Sequence, residues 1–277
     1  MKTKKAWWAL LPFYIFTMVF VFFPLVYMLI LSFRGRIDLY TLSNEFTLEN
    51  YQKILDPIYL IAFKQSFKMA FMSTFFVCLV GYPFGYFMAR LKKKQKNIVL
   101  FLMMIPFWTN SLLRLYGWMI FFRSKGALDQ ILMHFNLIEK PLRLLYSYPV
   151  VIVGMVYMLL PFMILSIYSS VEKMDWTLVE AARDLGASRW KAFWSVTFRS
   201  TLPGLFAGII LTFVPSMGLF FVSDLLGGNK IVLVGNVIQD QLLRAHNWPF
   251  AASMSMILML MTLAMIYVYK KMFGEKL

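Results

Sequence analysis

The sequence predicts an all-α polytopic membrane protein with six transmembrane helices, forming a single membrane domain over residues 1–277. Three observations predict it. The chain is 60% hydrophobic with a mean hydropathy of +0.68, where soluble domains average about 45–50% apolar residues. Six apolar runs reach the roughly 20 residues needed to cross a bilayer core of about 30 Å. The basic residues gather in the segments between alternate runs, as the positive-inside rule requires of a multi-pass chain.

The runs span residues 8–33, 66–89, 98–122, 150–170, 204–222 and 250–269. The first is longer than the roughly 7–15 apolar residues of a secretion signal and lacks a small-residue cleavage site, so it is expected to be a retained helix. Five of the six carry an interior proline: Pro12 and Pro24, Pro83, Pro106, Pro161 and Pro215. Proline removes a backbone donor, and the freed carbonyl must find a partner in a neighbouring helix or a wet cavity. Kinked helices around a cavity are one reading of that pattern. The ordinary abundance of proline in membrane helices is the other.

Alternation of the runs puts the N-terminus, residues 90–96, residues 171–203 and the C-terminus on one side, with sixteen Lys and Arg against five Asp and Glu. Residues 34–65, 123–149 and 223–249 fall on the other side, with ten against eight. The first side, including both termini, is therefore expected in the cytoplasm.

The pI of about 9.8 does not point to nucleic acid. The charge sits in juxtamembrane clusters such as Arg90-Leu91-Lys92-Lys93-Lys94, where it orients helices and meets anionic membrane lipid. Cys78 stands alone in mid-span, and His134 and His246 have no cysteine partners, so neither a disulfide nor a metal site is expected. No catalytic constellation and no Gly-rich Lys-Ser/Thr phosphate loop occurs, so the chain is expected to be no enzyme and to hold no cofactor of its own. No linker divides the chain, and no inverted repeat stands out between its halves, which disfavours a self-contained secondary transporter.

Residues 171–203 form the segment richest in information, because they are cytoplasmic by the charge rule and amphipathic as well as basic. They read as two short helices. Asp175 is placed to cap the first, with Leu178, Val179, Ala182 and Leu185 at helical spacing and Gly186 where a left-handed residue ends a helix. Ser188 is placed to cap the second, with Trp190, Phe193, Trp194 and Thr197 along one side. On these residues alone, the pair suits a partner's groove or the lipid interface equally well.

Glu180-Ala181-Ala182-Arg183-Asp184-Leu185-Gly186 resembles the EAA-x3-G motif of permease subunits of binding-protein-dependent ABC importers. The resemblance implies the type I importer permease fold, with core residues 66–269 and residues 171–203 as a cytoplasmic coupling loop seated in a groove of a separate ATPase. It implies Glu180 as the contact residue, Ala181 and Ala182 as close-packing faces, and Gly186 as the turn. The family pattern goes on to a Leu-Pro pair some ten residues past the glycine. Phe198-Arg199 stands there instead, with Leu202-Pro203 four residues later, so the second helix is expected to run about a turn further.

A longer likeness joins residues 106–117 (PFWTNSLLRLYG), residues 218–228 (GLFFVSDLLGG) and Trp248-Pro249-Phe250. These stretches resemble the PotB-type permeases of spermidine/putrescine importers. That implies a bacterial inner-membrane complex of this subunit, a second homologous permease, two ATP-binding subunits that use the ATP, and an extracytoplasmic polyamine-binding protein.

A polycation crossing lipid must exchange its hydration shell for aromatic faces, carbonyls and carboxylates. Trp108, Asn110 and Trp118 in the third run, Asp224 at the outer end of the fifth and Tyr51 in the first outer loop are the candidate pathway residues. Tryptophans and tyrosines near helix ends also serve as interface anchors, and Asp224 equally suits a counter-ion role. Arg114 would repel a cation, so it is expected to snorkel or to pair with an acidic group. Another small solute, or a non-transporting anchor subunit of an enzyme, remain the alternatives to polyamine import.

Overall fold

The computed structural model describes residues 11–38, 41–228 and 230–273. Residues 8–10 of the first expected span, and the terminal Lys2, Lys4, Lys5 and Lys276 of the charge count, lie outside the described residues. The chain packs as two compact units, Met1–Ile61 with Val237–Met261 and Ala62–Asn236 with Thr262–Leu277.

In the first unit, α1 (Leu11–Ser32) is a long apolar helix whose side chains are almost all exposed, as suits a helix facing lipid. Its turn Met18–Phe22 is π-helical, with the Phe23 amide donating to the Met18 carbonyl five residues back. Pro24 lies just beyond, where its ring crowds the preceding turn and favours the wider bulge. The chain then forms an antiparallel hairpin of β1 (Arg34–Arg36) and β2 (Leu42–Phe46), which the helical pattern did not announce. A short α2 (Glu49–Lys53) is tied to it by Asn50, whose Nδ2 donates to the carbonyls of Ser32 at 3.1 Å and Arg34 at 2.8 Å. Tyr59 and Lys53 both lie against the buried Phe250 ring, with centroid distances of 4.7 and 5.2 Å.

The remaining elements are α3 (Pro57–Ala89), α4 (Lys93–Met104), α5 (Ser111–Phe122), α6 (Ala127–His134), α7 (Tyr148–Glu172), α8 (Thr177–Asp184), α9 (Arg189–Gly218), α10 (Phe220–Gly227), α11 (Val234–Leu243) and α12 (Trp248–Phe273). Helix α7 is the centre of the second unit. Its row Leu159, Met163, Ile167 and Val171, spaced by four, is buried with Val77 of α3. At its N-terminal end, Val150, Val151, Ile152 and Met155 are buried with Met69, Leu115, Val222 and Leu226.

Two glycine pairs let backbones close on α7. A Cβ on Gly85 would lie 2.9 Å from the Ile164 carbonyl oxygen, and one on Gly204 would lie 2.3 Å from the Ser170 Cβ. Gly81 and Gly208 are likewise pressed against Met163. Both pairs have the small-xxx-small spacing that supports close helix packing where no hydrophobic drive exists between helices in lipid.

The structure corrects two of the expected spans. The third is not one straight helix over residues 98–122: it is two segments, Lys93–Trp108 and Ser111–His134, bent by 93°. Pro106 opens the tight 3-10 turn Ile105–Trp108, Thr109 turns extended at φ −99° and ψ 148°, and Asn110 restarts the helix by accepting the Leu112 amide at 2.8 Å. The fifth span begins well before residue 204. Helix α9 runs from Arg189 to Gly218 and breaks at Leu219, with ψ near 57°, before α10. The second helix expected in the coupling loop therefore has no end of its own. Pro203 is carried within α9, and no glycine at a left-handed position separates it from Ser188.

Candidate functional site

The loop between α7 and α9 is built by short-range hydrogen bonds that the sequence placed. Asp175 accepts from the Thr177 hydroxyl at 2.8 Å and the Thr177 amide at 3.0 Å, which starts α8 and holds the Asp175 carboxyl below the usual carboxylate range. Gly186 has φ +86°. Its amide donates to the Arg183 carbonyl at 2.9 Å and the Ala187 amide to the Ala182 carbonyl at 3.0 Å, the paired bonds of a Schellman stop. Two residues on, Ser188 Oγ accepts the Lys191 amide at 3.3 Å and α9 begins.

This geometry turns an amphipathic surface outward. Leu185 is 89% exposed, Trp190 72%, and Trp194 and Leu178 are exposed with them, while Val179, Ala182 and Phe193 are half-buried toward the protein. Ala181 is exposed and Ala182 half-buried. Glu180 is exposed and makes no ion pair among the described residues. It borders a surface hollow of about 590 Å3 with Arg183, Asp184 and Arg189, and a more enclosed cavity of about 410 Å3 with Arg90, Arg183 and Arg189. Glu180 thus shares the lining of these hollows with three arginines, on a surface that also exposes two tryptophans. Such a surface offers charge and apolar area together, and helix-in-groove partners use both.

The residues singled out for a solute path are dispersed. Trp108, 73% exposed, and Asn110 sit at the break of the third span, where Trp108 meets Phe101 edge-on at 5.8 Å. Trp118 is half-buried one helical segment away, stacked on Phe122 at 5.3 Å and edge-on to Tyr157 at 5.5 Å. Asp224, half-buried on α10, accepts from Asn236 Nδ2 at 2.5 Å. Asn236 in turn accepts the Leu233 amide at 2.8 Å, and Ser66 on α3 accepts the Val234 amide at 2.7 Å. Asp224 therefore belongs to a knot that pins the chain after α10.

Tyr51 lies in the first unit. Ser32 Oγ donates to the Leu29 carbonyl at 2.7 Å, so the Tyr51 hydroxyl is the donor in its 2.7 Å bond to Ser32, and the Tyr51 ring rests on Phe33.

Arg114 neither snorkels free nor meets a carboxylate among the described residues. Its guanidinium lies 5.9 Å from the Phe107 ring and 5.7 Å from that of Tyr157, and its buried Nε has no hydrogen-bond partner there.

Asn236, Tyr157 and the rings around Arg90 were not found from sequence. Asn236 lies 12 residues from Asp224 and Tyr157 43 from Arg114, and no spacing rule links such positions. Tyr86 and Arg90, four apart at the end of a span, are the one pair whose contact local spacing would have found.

Comparison with known proteins follows the same lines. A family profile described as the inner membrane component of binding-protein-dependent transport systems matches residues 81–270. The spermidine/putrescine transport system permease protein PotB of Escherichia coli (strain K12) is 45% identical over 251 residues, covering 91% of each chain. The protein of the same description from Haemophilus influenzae is 42% identical, covering 90% of this chain and 87% of its own.

Among solved structures, a bacterial ABC transporter involved in import of the acidic polysaccharide alginate superposes with a TM-score of 0.72 at 15% identity, over 99% of this chain and 96% of that one. The MetNI methionine ABC transporter superposes with a TM-score of 0.58 at 16% identity, over 78% of this chain and 94% of that one. These last two likenesses bear on the fold alone.

Proposed function

The chain belongs to the family of inner membrane components of binding-protein-dependent transport systems, and on that footing we propose that it is the polyamine-translocating permease subunit of an ATP-driven importer. The observation that carries the substrate is the 45% identity to a spermidine/putrescine permease over 91% of both chains. In this proposal residues 66–269 are the core permease domain, a second related permease completes the path, and two ATPase subunits and an extracytoplasmic polyamine-binding protein complete the complex. Both termini lie in the cytoplasm, in keeping with the excess of Lys and Arg on that side.

Residues 171–203 are the coupling loop. Closure of the ATPase pair on ATP moves α8, which presents Glu180 and ends in the Gly186 turn, and the spans rock with it. This chain binds no ATP itself and does no chemistry on its cargo.

Trp108 and Asn110 are the proposed contacts for the passing cation. The ring face attracts ammonium, and the exposed amide at the break of the third span offers an oxygen where continuous helix would offer none. Asp224, half-buried, contributes negative potential from a fixed position. Trp118, whose ring is packed, holds the wall beside the path.

The test is reconstitution of the four-component complex in proteoliposomes. Spermidine- or putrescine-loaded binding protein is expected to raise ATP hydrolysis and to deliver labelled polyamine to the lumen. Stimulation by another solute with neither polyamine active would overturn the substrate.

A further inference from the structure

Movement of a coupling helix reaches α3, which no short backbone connection joins to it, through side chains packed on both. Trp176 immediately precedes α8, and its carbonyl accepts the amides of Val179 at 3.0 Å and Glu180 at 3.2 Å, so its ring moves with the first turn of that helix. The ring lies against the cytoplasmic end of α3: the Arg90 guanidinium is 5.3 Å from the Trp176 centroid and 5.6 Å from that of Tyr86. Arg90 Nη1 also donates to the Tyr86 hydroxyl at 3.2 Å.

Tyr86 meets Phe193 of α9 edge-on at 5.7 Å. One turn earlier, Tyr82 packs on Phe198 at 5.8 Å and shares a 2.9 Å bond with the Thr201 hydroxyl. Thr201 Oγ1 is already directed at the Thr197 carbonyl at 3.0 Å, so Tyr82 is the donor. The charged face of α8 does not close on α3, because the 410 Å3 cavity bordered by Arg90, Glu180, Arg183 and Arg189 lies between them. Both ends of the coupling loop thus hold α3 through one aromatic row: Trp176 meets Tyr86 at 6.4 Å, and Arg90 lies over both rings.

We propose that Arg90, lying over the neighbouring rings of both Tyr86 and Trp176, is the positioning residue that transmits movement of α8 into α3. It touches neither the cargo nor ATP. It clamps the tilted Trp176–Tyr86 ring contact in one arrangement, so displacement of α8 is passed on as tilt of the cytoplasmic end of α3 instead of being absorbed by the cavity. Packed rings have few alternative arrangements, which makes such a contact discrete rather than compliant. The assignment rests on the coupling role proposed for residues 171–203.

The experiment uses the assembled complex in a Cys78→Ser background with spin labels at Phe87→Cys on α3 and Ser169→Cys on α7, both exposed positions. The interlabel distance is read with and without ATP, and polyamine uptake is read per ATP hydrolysed. The unaltered relay is expected to shift the distance on adding ATP. Arg90→Ala is expected to assemble and hydrolyse ATP, to lose the shift, and to lower uptake per ATP about tenfold, within the usual range of a coupling free energy. Arg90→Lys, which keeps a cation over the rings, restores most of the shift, and Trp176→Leu reproduces the alanine defect.

A shift that persists in Arg90→Ala, a lysine variant as defective as alanine, or a variant that no longer co-purifies with the ATPase would each overturn the assignment, the last because it marks a docking or folding role. The two proposals separate cleanly. A label shift without polyamine stimulation sinks only the substrate, and stimulation without a label shift sinks only the relay.

Discussion

At the residue scale, the loop of residues 171–203, proposed for coupling, depends on a few local bonds, and Asp175 gives them a pH dependence of known sign. The Thr177 hydroxyl, and then its amide, stabilise the ionised carboxylate, so its folded pKa lies below the unfolded value. The contribution is therefore fully present above the unfolded value of about 3.9 and is lost as pH falls through the folded one. The group is fully exposed, so the effect is local. Amide exchange at Thr177 and Val179 is expected to quicken as pH is lowered below about 4, after correction for intrinsic rates, and Asp175→Ala should show the fast rates at neutral pH. Equal protection in both proteins at pH 7 would mean that Asp175 does not start α8. Asp224 teaches a different lesson at this scale. A carboxylate at the outer end of a span reads as a cargo contact, but its Oδ1 accepts the Asn236 amide at 2.5 Å, and a residue with a firm partner inside its own chain has less freedom to follow a moving cation.

At the element scale, helix α7 is gripped on two sides by glycines, and the spacing that permits this makes the grip testable. A Cβ on Gly204 would meet the Ser170 Cβ at 2.3 Å and the Ser166 carbonyl oxygen at 3.0 Å, the second of which cannot rotate away. Gly204→Val is expected to destabilise the purified chain by about 1–3 kcal/mol, seen as a lower Tm in detergent. Gly117→Ala, where nothing lies within 4 Å, should leave Tm unchanged or slightly raised. Similar losses in both would show that the close approach at Gly204 does not matter. The spans themselves were legible because burial in lipid writes a run of about 20 apolar residues whatever the helix packs against. The loop's turn bonds were legible for a related reason, since Asp175, Gly186 and Ser188 act on backbone groups within a few residues, although the N-cap position of α8 falls on Trp176, one residue after Asp175. The break after Trp108 was not, because hydropathy reads straight through Pro106, Phe107 and Trp108 and registers no bend. The end of the second loop helix was misplaced because Ser188 announces a start, while nothing between it and Gly204 announces a stop, and α9 runs on into the span. The Asp224–Asn236 pair and the Arg114–Tyr157 contact join distant positions that only the packed chain brings together.

At the scale of the whole molecule, the chain offers partners two kinds of surface. Along α1 the exposed residues are uniformly apolar, as bilayer contact requires. At the proposed coupling loop, by contrast, Leu185, Trp190 and Trp194 are exposed, and Glu180 lines a cavity with Arg90, Arg183 and Arg189. A lipid surface would meet the basic residues and tryptophans but would gain nothing from a carboxylate among them. A protein groove carrying its own basic residue would pair with Glu180, while its acidic residues answered Arg183 and Arg189. Because Glu180 is exposed and makes no ion pair among the described residues, changing it should cost the fold no more than about 0.5 kcal/mol. Glu180→Lys would place a fourth cation beside the three arginines and oppose any basic groove. It is therefore expected to leave Tm within about a degree or two of the parent, while co-purification of the ATPase falls about tenfold or more. Glu180→Gln, which removes the charge without reversing it, should fall between the parent and Glu180→Lys. Raised salt should weaken the parent complex toward the Gln variant's level if the interaction is ionic and near the surface. Retention of the ATPase by Glu180→Lys at the parent's level would remove Glu180 from the docking surface and leave Leu185, Trp190 and Trp194 to hold it by apolar contact alone.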